Sequence, residues 1–265
     1  DEVLRNADRL STYRQICAQV ARENNLIACF MSKPFMGVSA NGCHTNVSLW
    51  KDGKMESTPL GNDPLPGMEQ VFAHVKGGEN MFMPDPSIDP VKPGPVGLNS
   101  IAGMLLHLPA LTCLGSPTVN SYRRLWDTGF WAPVYADWGY QNRTCSVRVS
   151  APGRVEYRSV DSTHNPYLLG AGILKSFDDG ITNKLDPGEP EKQNIYEAMK
   201  QGKKVDKLPL TLGDAIKCVE KDEVVKSALP DEMYRVFMHY KNDEWEKFLS
   251  SVTEWDLETY LDVLP

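Results

Sequence analysis

The run from Asn99 to Leu114 contains no Asp, Glu, Lys or Arg and is apolar almost throughout, which limits the folds open to this chain more than any other feature. A helix that is apolar all round has to be buried. The run is therefore predicted to be a core helix starting at Asn99-Ser100 and kinked at Pro109, with the remaining elements covering it. Before it, Leu10, Tyr13, Cys17, Val20 and Ala21 recur at helical spacing, predicting an amphipathic helix over 8–23 that Asn24-Asn25 ends. Leu26 to Met31 is a short apolar run of the kind a buried strand has.

From His44 to Trp50 polar and apolar residues alternate, so a strand there would put His44, Asn46 and Ser48 on one face and Val47 and Leu49 on the other. Asp52-Gly53 then reads as a hairpin turn. Residues 61–97, rich in Gly and Pro, are expected to contain extended loop. Further strands are predicted at Val134–Trp138, Cys145–Val149 and Arg154–Ser159. Asn165-Pro166 supplies a cap and a proline at the first helical position, starting a helix toward Asp179-Gly180. Thr211 and Asp231 cap later helices, and the chain is read as helical to its end. Strands in the middle with helices after them make the fold class α+β.

With 28 basic against 35 acidic residues the formal charge is −7, which argues against a protein that coats nucleic acid or an anionic membrane. Any basic site must be local. No uncharged apolar run approaches the roughly 20 residues that span a bilayer, and the first residues lack a signal-peptide pattern, so a cytoplasmic location is the default expectation. The six cysteines are scattered without CxxC spacing and read as reduced thiols.

The basic site has a candidate. No lysine occurs between Lys92 and Lys175, yet residues 123–158 contain Arg123, Arg124, Arg143, Arg148, Arg154 and Arg158 against only Asp127, Asp137 and Glu156. Arginine alone points to planar bidentate recognition of phosphate or carboxylate, which an ammonium cannot reproduce. Alternation sends Arg154, Glu156 and Arg158 to one face, holding a carboxylate between two guanidinium groups. The other reading is a structural salt-bridge ladder. His44, taken alone, reads more readily as structural than as a ligand. Paired with Glu156 on a neighbouring strand, it suits part of a divalent-metal site serving nucleotide phosphates, with too few acidic residues nearby to complete it.

Ala7-Asp8-Arg9, Phe30-Met-Ser-Lys-Pro34, Asn41-Gly-Cys-His44-Thr-Asn-Val-Ser-Leu-Trp50, Asn120-Ser-Tyr-Arg-Arg124-Leu, Ala132-Pro-Val, Asn142-Arg143, Arg148, Glu156-Tyr-Arg158, Asp161, Asn165-Pro-Tyr-Leu168 and Asp186-Pro-Gly188 occur in that order. Together they resemble the successive signatures of the glutamine synthetase family. The resemblance implies a glutamine synthetase-type catalytic domain with a curved antiparallel sheet, part of a barrel, flanked by helices. Residues 1–265 would be its C-terminal part, without the N-terminal beta-grasp domain and the first part of the catalytic domain. It also implies ATP, Mg2+ or Mn2+, glutamate and a small amine as partners, in a homo-oligomer, usually a dodecamer. His44 and Glu156 would be metal ligands, and Arg124 and Arg158 would hold the glutamate carboxylates, near a loop in which Ala40 lies. Arg143 and Arg148 would neutralise the transferring phosphoryl group, while Ser48, Asn46 and Arg154 would line the nucleotide pocket, with Arg143 reaching it too.

Three departures from the family pattern matter. Asn46 stands where ammonia-using members have a second histidine, and Ser39-Ala40 replaces an Asn-Gly pair. Trp131 occupies the position of a flap glutamate that would accept a proton from ammonium. An indole can attract an alkylammonium through its ring face, at roughly 0.5–2 kcal/mol, but cannot take the proton, which would fall to Asp127 or another carboxylate. The pattern therefore points to the gamma-glutamylmethylamide synthetase-like subgroup, with ammonia-dependent glutamine formation or an inactive interaction homologue as the alternatives. Tyr196 falls where some members are adenylylated and otherwise reads as a surface tyrosine.

Overall fold

The computed structural model describes residues 2–58, 72–126 and 132–263. Asp127 and Trp131 lie outside the described residues. The first helix, α1 (Val3–Glu23), begins earlier than the spacing suggested. Short strands β1 (Thr45–Val47), β2 (Trp50–Lys51), β3 (Lys54–Thr58), β4 (Phe72–Lys76) and β5 (Glu79–Asn80) follow. Then come the core helix α2 (Pro95–Gly115), α3 (Val119–Trp126), and strands β6 (Trp138–Tyr140), β7 (Val147–Ala151) and β8 (Arg154–Tyr157). Helices α4 (Pro166–Thr182), α5 (Ile195–Lys200), α6 (Leu212–Lys221), α7 (Glu223–Ser227), α8 (Asp231–Leu249) and α9 (Glu254–Tyr260) complete the order.

The core forms around α2, as its composition requires. It starts at Pro95 rather than Asn99, because a proline at the first turn gives up no hydrogen bond, and it runs on through Pro109. At 21 residues it is long and apolar enough to cross a membrane, so the expectation that no run approaches that length is corrected. It is nonetheless mostly buried against protein. Ile101, Met104, Leu108, Leu111 and Leu114 join Leu169, Ile173 and Phe177 of α4 and Leu212, Ile216 and Val219 of α6 in one cluster. The approach to α4 is close enough to require glycine at the crossing. A Cβ on Gly103 would sit 2.0 Å from the Ser176 carbonyl oxygen, and one on Gly180 would sit 2.1 Å from that of Asn99.

The sheet that matters for the site has the order β1-β8-β7-β6. β1 pairs antiparallel with β8, with Asn46 opposite Glu156, and β8 pairs antiparallel with β7, with Arg148 opposite Glu156. β6 joins in parallel, which an antiparallel reading did not foresee. The return is made by the loop 141–146, where Gln141 takes a left-handed conformation at φ 50°. The Asn142 side chain accepts from the Thr144 N–H and hydroxyl there. Val147, Val149, Val155 and Tyr157 turn one sheet face to the α2 core. The other face, which alternation reserves for 148, 154, 156 and 158, carries the charges.

Several local readings change. Residues 26–31 form no strand, and Leu26, Ile27 and Met31 are exposed. The Leu26 N–H turns back to the Ala21 carbonyl, and among the described residues no backbone bond leaves Ile27, Ala28, Cys29, Phe30 or Met31. Apolar content cannot make a strand where no neighbour accepts the ladder. Asp52-Gly53 is a bend rather than a hairpin turn, since β2 pairs with β5 and β3 with β4. Within the stretch 61–97, β4, β5 and the start of α2 accompany the expected loop, which runs between β5 and α2. Of the three later strands, β6 starts only at Trp138 and β7 at Val147, while β8 starts at Arg154 as expected and ends at Tyr157. Asn165 caps α4 as expected, accepting from the Tyr167 and Leu168 N–H groups. Thr211 caps α6, and α8 starts at Asp231 itself, behind Pro230.

Candidate active site

Glu156 is the centre of the polar sheet face. Its position between Asn46 on β1 and Arg148 on β7 follows from register, and its side chain is buried. One carboxylate oxygen lies 2.9 Å from His44 Nδ1 and accepts from Arg158 Nη1 at 3.2 Å. The other lies 2.6 Å from Arg148 Nε. The carboxylate is thus held by Arg148 and Arg158, not by Arg154 and Arg158 as strand alternation alone suggested. Arg154 instead donates to the Ser150 hydroxyl (3.1 Å), which donates to Asn46 Oδ1 (3.2 Å). The two nucleotide candidates Asn46 and Arg154 are therefore joined through a serine that the sequence reading passed over.

Arg158 also donates from Nη2 to the Arg143 carbonyl at 2.9 Å, fixing the backbone from which the exposed Arg143 side chain projects. Arg124 reaches the same place from α3, donating from Nη2 to the Arg158 carbonyl at 3.1 Å. Its Nη1 is buried without a hydrogen-bond partner. Burial draws Arg124 and Arg158 below the usual guanidinium value, partly offset by Asp161 for the first and Glu156 for the second. Arg148 and Arg158 thus meet Glu156 directly, Arg124 joins them through the Arg158 carbonyl, and the exposed Arg143 and Arg154 are tied to this network through a backbone carbonyl and Ser150. Three buried or half-buried guanidinium groups, Arg124, Arg148 and Arg158, against Glu156 and Asp161 leave an excess of positive charge that is costly unless an anion completes it.

Burial, and then the charge of Arg158, pull His44 down to about 4, so its imidazole is neutral near pH 7 and can donate a lone pair. With the Glu156 oxygen it supplies two donors of the right type for a divalent cation. Among the described residues no group of three or more His, Cys, Asp or Glu could hold a metal, so the set fits in kind and is partial in number. Ser48 lies past the end of β1, where its hydroxyl accepts from the Trp50 indole N–H at 3.0 Å. Ala40 lies in the loop closed by the Asn41 N–H to the Ser32 carbonyl (2.7 Å).

Residues 1–78 and 58–260 match the family described as glutamine synthetase, catalytic domain. The chain belongs to the glutamine synthetase family. It is 38% identical over 279 residues to the glutamine synthetase of Pyrococcus furiosus, covering 98% of this chain and 56% of that protein. Against the glutamine synthetase of Rhizobium leguminosarum bv. phaseoli it is 32% identical over 269 residues, covering 99% and 56%. Among solved structures, apo GmaS without ligand superposes with a TM-score of 0.80 at 32% identity, covering 98% of this chain and 54% of that one. A GmaS/ADP complex gives 0.82 at 32% identity, covering 99% and 55%. The chain thus spans just over half the length of these relatives.

Two features of this glutamine synthetase family member escaped the sequence reading. His107, the one basic side chain in the apolar α2 run, bonds through Nδ1 to Asp222 (2.8 Å) and through Nε2 to Asp179 (3.1 Å). Its isolation in an uncharged run was the available signal. Tyr196 is half-buried rather than a surface tyrosine. Its hydroxyl donates to the Ala132 carbonyl, its ring meets Tyr135 edge-on at 5.8 Å, and burial pushes the phenol up to about 12.

Proposed function

We propose that this chain supplies the arginine-lined part of an active site that joins a small alkylamine, methylamine or ethylamine, to the side-chain carboxylate of glutamate at the expense of ATP. The observation that carries this reading is the arginine cluster at Glu156, in which Arg148 and Arg158 meet the carboxylate and Arg124, with Nη1 buried and unpaired, donates to the Arg158 carbonyl. In this reading Arg124 and Arg158 grip the carboxylates of glutamate, and Arg143 and Arg148 face the phosphoryl group as it passes to the side-chain carboxylate. Charge develops first on the phosphoryl oxygens and then, as amine displaces phosphate, on a tetrahedral oxyanion. Fixed guanidinium groups stabilise both without reorganising. Arg154, Asn46 and Ser48 border the nucleotide. His44 and Glu156 would hold Mg2+ or Mn2+, which when bound shields phosphate charge; further ligands would come from polypeptide corresponding to the rest of the relatives' length or from a neighbouring subunit of a ring, usually a dodecamer in the family. An ATP-consuming ligase of this kind would work in the cytoplasm.

The preference for an alkylamine rests on Trp131 in place of a flap glutamate and agrees with the likeness to GmaS, a gamma-glutamylmethylamide synthetase. Asp127, four residues earlier in the sequence, is the proposed proton acceptor. The second reading, glutamine formation from ammonia, is favoured by the names of the Pyrococcus and Rhizobium relatives. A phosphate-release assay on the native assembly separates them: methylamine or ethylamine should turn over faster than ammonium at equal concentration. A clear preference for ammonium would sink the alkylamine reading, and Trp131→Glu should move the preference toward ammonium. An inert scaffold would show no magnesium-dependent heat on titration with a non-hydrolysable ATP analogue.

A further inference from the structure

Asn120 belongs to the motif around Arg124, and nothing in the chemistry above uses it. It lies one helical turn before Arg124 on α3, so the two side chains leave the same face. Its amide grips one residue at both ends of the backbone: Oδ1 accepts from the Lys33 N–H at 2.8 Å, and Nδ2 donates to the Lys33 carbonyl at 2.9 Å. Lys33 opens the loop that closes where the Asn41 N–H meets the Ser32 carbonyl. The Lys33 ammonium reaches inward to the Val38 carbonyl. At the far end the loop runs into Gly42, where a Cβ would lie 3.2 Å from both Arg124 Nη2 and His44 Nε2. Asn41 is fixed in turn by the Ser162 hydroxyl at 2.7 Å.

α3 therefore holds the start of the loop through Asn120 and touches its end through Arg124. The helix itself is anchored from α8, since Glu244 accepts from the Val119 N–H at 2.9 Å and Lys241 donates to the Pro117 carbonyl at 2.6 Å. We infer that Asn120 is a positioning residue that sets the 33–41 loop, and with it the backbone at Ala40, against Arg124 for the amino-acid substrate; this rests on the ligase reading above. The nucleotide candidates Arg154 and Asn46, joined by Ser150, lie on the sheet and do not depend on this grip.

The test is a pair of variants in the native assembly, Asn120→Ala and Asn120→Asp, read by backbone amide exchange over 33–41 and by titration with L-glutamate and, separately, with a magnesium–ATP analogue. Asn120→Ala should speed exchange at Lys33 and Asn41 and weaken glutamate about tenfold, with nucleotide affinity within about twofold. Asn120→Asp keeps the acceptor for the Lys33 N–H and loses the donor, so it should fall between and carries the test if the alanine variant does not fold. Equal losses of glutamate and nucleotide affinity, or unchanged glutamate affinity, would overturn the inference alone. Failure of the unsubstituted protein to bind glutamate would overturn the ligase reading and the inference together.

Discussion

At the scale of single residues, the charges of this protein fall into two classes that the same physics treats differently. Arg158 touches Glu156, the Arg143 carbonyl and His44, the last at 3.2 Å from Nη1 to Nδ1, so one planar fork organises three groups. An ammonium cannot span them, and on the ligase reading proposed above Arg158→Lys should weaken glutamate binding about tenfold or more, as isothermal titration would register. His107 acts on stability instead. Burial opposes its charge, but the bonds to Asp222 and Asp179 outweigh burial and hold its value above the ordinary one. Its folded value thus exceeds the unfolded value of about 6.5, so the imidazolium contribution is complete below about pH 6.5 and is lost as pH rises through the folded value. Melting temperature should fall as the pH rises above about 6.5 in the native protein. His107→Asn should cost about 2–4 kcal/mol at the acid end and flatten that slope, and an unchanged slope would remove His107 as its source.

At the scale of elements, the packing of α2 on α4 depends on the absence of two side chains. Gly103→Ala would place a methyl against the Ser176 carbonyl at a separation no relaxation of a flexible side chain can relieve, because the obstacle is backbone. Unfolding by urea should show a loss of about 3 kcal/mol or more. Asn165→Ala removes the acceptor for two N–H groups at the start of α4 and should cost about 1 kcal/mol, with the sheet unaffected. Asn165-Pro166 was readable from sequence because a cap is a local interaction between neighbours in the chain. The segment 26–31 was misread for the opposite reason: its residues have the composition of a buried strand, but a strand exists only where another backbone lies beside it.

At the scale of the whole molecule, the apolar residues of that segment continue into an exposed stretch that includes Ile27 at 92% and Met36 at 94% exposure, with Phe35 between them in the loop. Backbone without hydrogen-bond partners among the described residues, beside exposed apolar side chains, favours pairing with other chains. The isolated chain should therefore self-associate in sedimentation velocity, and Ile27→Lys should lower the association; an effect no larger than that of a lysine on the exposed face of α8 would count against this source.

Local chemistry was enough to set the helix starts at Pro166 and Leu212, the burial of the uncharged run around Leu108, and the use of arginine without lysine from 123 to 158. Order and identity of motifs likewise led to the glutamine synthetase family. What the chain order could not set was which arginines meet Glu156. Strand alternation named Arg154, a neighbour on the same strand, whereas the ladder brought Arg148 across from β7 and His44 from beside β1. The two bonds from Asn120 to Lys33 and the clamp of His107 between Asp179 and Asp222 have the same origin. Contacts between residues far apart in the chain are decided by sheet register and helix packing, and no pattern within either segment records its partner.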